Sequence, residues 1–227
     1  MRGFSKRIRE IRERIQRAAE KAGRDGDEIE IMAVAKTAST DDLREAWDSG
    51  QILFAHNRVE GLLEGRGILP YAEWHMVGRL QGKMARKAWK VMDGLHSFDR
   101  LGLGEKLNRA GEDFGGPPLK VWVQIQVFES PHRSGCRLDA LDALVKGFHG
   151  FPHLAAQGLM TMGPPPGSSC SPGDAFSRAR KEAQKLAVAG NLPPSPSLSM
   201  GMTGDLETAV AEGTTLLRIG RALFPPC

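Results

Sequence analysis

Short apolar runs and amphipathic segments alternate eight times along the 227 residues, and this alternation constrains the fold more than any other feature. "IEIMAVA", "ILFA", "EWHMVG" and "GLHSF" are each followed by a helix-like stretch, as are "LKVWVQIQV", "LAAQGLMTM" and "PSLSMGM". "TLLRIG" leads into the helix-like turn "RALFPPC". Near-continuous apolar runs are the mark of parallel strands covered on both faces, and helices between them supply the crossovers. Eight such units in about 200 residues predict a single closed (β/α)₈ barrel, at the small end of that architecture. A doubly wound open sheet is the alternative, because periodicity does not encode closure. The Pro- and Gly-rich breaks "GPPPGSSCSPGD" and "NLPPSPS" fall between units, so residues 1–227 read as one domain.

Before the first unit, Phe4, Ile8, Ile11, Ile15, Ala18 and Ala22 recur at helical spacing, with charges between them and Gly23 as the stop. This predicts an extra N-terminal helix covering one end of the barrel. Its basic face is either solvated or an anion contact. The net charge of +4 is a weak argument for nucleic acid, since much of the positive excess sits in this helix. No apolar stretch approaches the roughly 20 residues of a membrane span, and no apolar core follows the basic start, so a cytoplasmic protein is expected. Cys136, Cys170 and Cys227 lack metal-ligand spacing and are odd in number. His149 and His153 are four apart, but Pro152 breaks the helix that a shared metal would need.

In a (β/α)₈ barrel the functional groups lie at the C-terminal ends of strands. That rule selects Lys36, Asn57, His75 with Gly78, Ser97, Met160, Ser199 to Gly201, and Arg218 with Gly220. Lys36 directly follows "IMAVA", where an apolar collar would lower the amine's pKa and favour condensation with an aldehyde; the alternative is a lysine snorkelling from a strand end. "LSMGMTGD" joins a serine and two glycines to a helix start at Asp205, and "LLRIGRALF" places Gly220 on the last strand-to-helix turn. Turns after strands seven and eight are the usual phosphate site of such barrels, because amides at a helix start are unpaired and suit a dianion. Arg218 would face the same mouth, either as an ordinary ion-pair arginine or as a permanent cation that keeps a pyridine nitrogen unprotonated. "GRLQGKM" fails as a P-loop, because Gly78 and Gly82 are too close and Met84 replaces the hydroxyl residue. Gly102 and Gly104 lack the third glycine of a dinucleotide fingerprint.

"VAKT", "NRVE", "WHMVGRLQ", "GLM" and "LSMGMTGDLETAVAEGTTLLRIG" occur in this order, and through them the chain resembles the pyridoxal phosphate homeostasis protein family, YggS-like and proline-synthase-co-transcribed proteins. The resemblance runs from about residue 5 to residue 224. It implies a TIM barrel like the N-terminal domain of alanine racemase, with pyridoxal 5'-phosphate held on Lys36 as an internal aldimine. It further implies a phosphate cradle at Ser199, Met200, Gly201, Gly220 and Arg221, with Arg218 facing the pyridine nitrogen and Asn57 near the cofactor.

The family is thought to buffer and deliver the cofactor. That implies pyridoxal phosphate and cofactor-dependent apoenzymes as partners; a monomer is expected of a small barrel of this kind, with no membrane or nucleic-acid contact. Little turnover is expected, since a racemase needs a second base from a domain that the resemblance does not cover, and Tyr71 is the single tyrosine. A low-activity racemase or lyase is the alternative. The chain departs from the family pattern at Ala55, His56, Lys83, Met84, Gln126, Arg133 and the terminal "FPPC". These positions bear on secondary ligand contacts and on cofactor transfer between lysines.

Overall fold

The computed structural model describes residues 3–128, 134–165 and 167–225. Eight parallel strands close into a barrel: β1 (Glu30–Val34), β2 (Leu53–His56), β3 (Glu73–Met76), β4 (Gly94–Phe98), β5 (Leu119–Gln126), β7 (Leu154–Met160), β8 (Ser197–Ser199) and β9 (Leu216–Ile219). Each pairs in parallel with its neighbours, β1 with β9 and β4 with β5 completing the ring. The eight apolar runs are therefore the eight barrel strands, and the open-sheet alternative is excluded by the β4–β5 pairing. A two-residue strand, β6 (Cys136–Arg137), adds to β5 outside the ring; two residues carry no period that a sequence could reveal.

The helices are α1 (Phe4–Lys21), α2 (Thr40–Asp48), α3 (Val59–Ile68), α4 (Ala85–Trp89), α5 (Leu101–Phe114), α6 (Leu138–Phe148), α7 (Pro172–Val188) and α8 (Leu206–Ala211). α1 corrects the expectation of a cap across one end. It runs along the wall between α8 and α2, with Phe4 against Phe224 and Arg12 Nη1 donating to Ile29 O at 2.9 Å. Among the described residues only a turn follows β9, and α1 lies in the ring of helices between α8 and α2. Its buried residues Phe4, Ile11, Ile15, Ala18 and Ala19 supply the apolar stripe.

Strand alternation divides the core into two layers. Ile31, Ala33 and Ala35 join the continuous layer between strands and helices. Met32 packs with Ala55 and Leu216 inside the barrel, with Val34, Leu53 and Val77 against them. This parity fixes which side chains share the interior, and β3, β4, β8 and β9 contribute the polar groups His75, His96, Ser199 and Arg218.

Candidate functional site

β1 and β9 run side by side with Met32 opposite Arg218 and Ala33 opposite Ile219. The turn after β1 therefore lies beside the turn after β9, and Thr37 Oγ1 ties them by donating to Phe224 O at 3.3 Å. Lys36 has the parity of Met32 and Val34, the interior side, but β1 ends at Val34 and Lys36 sits exposed in the turn. Exposed in this turn, Lys36 is not enclosed by the apolar collar expected around its stem. Asn57, in the equivalent place after β2, is exposed too. A Cβ on Gly78 would lie 2.1 Å from Asn57 O, so only glycine lets the turns after β2 and β3 approach this closely. Ser97 Oγ donates to Gly78 O at 2.6 Å and fixes that approach.

At the end of β8, Ser199, Met200 and Gly201 are buried. Gly201 has φ +94°, and a Cβ there would meet Ala209 Cβ at 2.4 Å and Leu217 Cδ2 at 2.7 Å. In the segment beyond, the amides at the start of α8 receive no side-chain cap. Asp205 Oδ1 accepts from Met202 N at 2.6 Å, turning its carboxylate back into the loop, and α8 has only six residues. Gly220 and the exposed Arg221 form the turn after β9, closed by Leu223 N and Phe224 N donating to Gly220 O. A Cβ on Gly220 would make only ordinary contacts with Val34, so packing alone does not require glycine there.

Arg218 is the most constrained of the sequence-selected groups. It is 5% exposed, its Nη1 donates to Ser199 O at 2.5 Å and Ser199 Oγ at 2.9 Å, and its Nη2 donates to Thr161 O at 2.8 Å. Burial lowers its pKa to about 10, opposed by the charge of Asp205. A guanidinium loses its hydration on burial, and these three acceptors within the fold replace part of it.

Behind Arg218 a file of hydrogen bonds crosses the interior. Ser199 Oγ lies 2.9 Å from His96 Nδ1, His96 Nε2 lies 2.9 Å from His75 Nδ1, and His75 Nε2 lies 2.9 Å from Glu73 Oε1. Lys120 Nζ donates to the same carboxylate oxygen at 2.7 Å. The Trp122 ring stacks on His96 at 4.0 Å between centroids. Burial, with the charges of His75 and Arg218, pushes His96 well below the usual imidazole range. The bonds from His75 and Lys120 hold Glu73 down to about 2 against burial. Sequence reasoning selected Ser97 and missed its neighbour His96, as well as Thr161. The available signal was an imidazole in the middle of "GLHSF", a strand buried at every position.

Among the departures, His56 has a defined task. Its Nδ1 accepts from Arg58 N at 3.0 Å at the start of α3, and burial chiefly lowers its pKa. Lys83 is exposed in a 3₁₀ turn (Gly82–Met84). Gln126 ends β5. Arg133 and Cys227 lie outside the described residues. Among the described residues no group of His, Cys, Asp and Glu could hold a metal ion, and no helix is long and apolar enough to cross a membrane.

The sequence family described as alanine racemase, N-terminal domain, matches residues 7–225. The pyridoxal phosphate homeostasis protein of Escherichia coli K12 is 34% identical over 99% of this chain and 97% of its own. That of Pseudomonas aeruginosa is 33% identical over 97% and 94%. Among solved structures, PipY of Synechococcus elongatus, described with PLP bound, superposes with a TM-score of 0.80 at 30% identity, covering 93% of this chain and 99% of that one. Full-length identity and a shared barrel together assign the chain: it belongs to the alanine racemase N-terminal domain family and, within it, to the pyridoxal phosphate homeostasis proteins.

Proposed function

We propose that this protein binds pyridoxal 5'-phosphate at the C-terminal mouth of the barrel and serves to hold and hand on the cofactor rather than to turn over a substrate. The observation that supports the reading is the β1–β9 register, which brings the turn that carries Lys36 beside the turn of Gly220, with Arg218 buried on β9. The donor set fits such a ligand. A primary amine, a permanently charged guanidinium, a serine hydroxyl and two glycine-containing turns converge on adjoining strand ends, and Gly201 adopts a backbone that a Cβ would block.

When bound, pyridoxal phosphate supplies an aldehyde for an amine and a ring able to withdraw electrons. Lys36 supplies that amine. Arg218 can only donate, so facing a ring nitrogen it would keep that atom an acceptor and weaken electron withdrawal. Ser199, Met200, Gly201, Gly220 and Arg221 would hold the phosphate, and Asn57 would border the ring. Asp205 already engages the Met202 amide, so that amide would not be free for the dianion.

Tyr71 supports the reading of low turnover. It precedes β3, at the opposite end of the barrel from Lys36, and is 87% exposed, so the chain's single tyrosine cannot serve as a second base at the mouth. A monomer delivering cofactor to apoenzymes is the corresponding cellular role. Titration with pyridoxal phosphate should develop a visible absorption band that Lys36→Ala loses. Solvent deuterium entering the α-carbon of an amino acid faster than with free cofactor would replace the carrier reading by a racemase.

A further inference from the structure

The file of bonds behind Arg218 has two fixed ends. A guanidinium can only donate, so Ser199 Oγ receives from Arg218. An ionised carboxylate can only accept, so Glu73 receives from His75 and Lys120. Glu73 opens on a surface groove of about 760 Å³, so solvent protons reach the file from that end.

Between these ends three arrangements leave every bond with one donor; the one that puts the extra proton on His96 would place a charge on a wholly buried ring beside Arg218, which leaves two. In the first, His75 is neutral: Nε2–H donates to Glu73, His96 Nε2–H donates to His75 Nδ1, and the Ser199 hydroxyl donates to His96 Nδ1. In the second, His75 carries one more proton. It donates from both nitrogens, the His96 proton sits on Nδ1 and points at Ser199 Oγ, and the Ser199 hydroxyl hydrogen is released. A neutral His75 in the reversed order would aim a lone pair at the carboxylate. One proton at His75 therefore reverses the direction of each bond as far as Ser199.

We propose that Glu73, His75 and His96 form a proton-coupled relay that orients the Ser199 hydroxyl: committed to His96 when His75 is neutral, and free to donate to an anion at the barrel mouth when His75 is protonated. These three are positioning residues. They act on the mouth through Ser199, which Arg218 holds by both its carbonyl and its hydroxyl. The charged groups bearing on the relay are Glu73 and Lys120 at His75, and Arg218 and Asp205 at the Ser199 end, with Trp122 excluding water from the His96 face. That the anion is the phosphate of pyridoxal phosphate rests on the function proposed above; the relay itself needs only this chain.

The test is a pH series of ¹⁵N imidazole NMR spectra on the full chain freed of cofactor. His96 is expected to hold a single proton throughout, moving from Nε2 to Nδ1 as His75 takes up its proton. Glu73→Gln removes the fixed acceptor at the outer end and should change both transitions together. A His96 proton that stays on one nitrogen while His75 titrates would overturn the relay, as would a His75 with no transition over the range in which the chain stays folded. The wild-type series decides the matter even if the variant does not fold. Failure of the protein to take up pyridoxal phosphate leaves this measurement intact.

Discussion

At Gly201 one missing methyl group decides whether the end of β8 can sit against Ala209 and Leu217. Gly201→Ala meets both a positive φ and a contact of 2.4 Å. It is expected to lose about 1–3 kcal/mol in urea unfolding, with weaker cofactor uptake. Glu73 makes stability depend on pH. Its carboxyl is held at about 2 against an ordinary 4.5, first by His75 and then by Lys120. A depressed folded-state pKa means that the contribution is complete above about 4.5 and is lost as pH falls through 2. Glu73→Gln should flatten the acid limb of the stability profile in that window, read from urea midpoints between pH 2 and 5. An unchanged acid limb would show that the His75 and Lys120 contacts do not persist in solution.

Individual elements show which local signals reach the fold. Ser39 caps α2 in a reciprocal pair with Asp42, each side chain bonding the other's backbone amide. Ser39→Ala is expected to cost about 0.5–2 kcal/mol by chemical denaturation. Ile15, fully buried on α1, should cost about 2–5 kcal/mol as Ile15→Ala, because α1 fills a ring position instead of lying over an open end. The strands were legible because parallel pairing demands apolar residues on both faces. The extent of α4 was not: "LQGKMARKAWKV" reads as one helix, yet the backbone makes a 3₁₀ turn and five helical residues. Among the candidate site residues, Arg218 was legible because its strand carries it inward at a fixed parity. Lys36 was legible in place but not in setting, since a turn beyond the strand end sets its exposure. His96 escaped because strand ends were searched and strand interiors were not, although a polar group in an all-buried strand must find partners.

The whole molecule is a barrel with an apolar interior on one side, at Met32, Ala55 and Leu216, and a hydrogen-bonded polar file on the other. The apolar side and the helix layer hold the ring closed, while the polar file anchors Arg218 beneath the mouth. A ligand that binds only the folded chain stabilises it by mass action, about 2.7 kcal/mol at a hundredfold excess over its dissociation constant. Pyridoxal phosphate should therefore raise the melting temperature of the wild type, and do so far less for Lys36→Ala. The central claim, that the mouth beside Arg218 receives this cofactor through one amine, is tested most directly by borohydride reduction of the loaded protein followed by peptide mass spectrometry. The account predicts a single pyridoxyl adduct on Lys36; a protein without an adduct, or with adducts spread over exposed lysines such as Lys83, would contradict it.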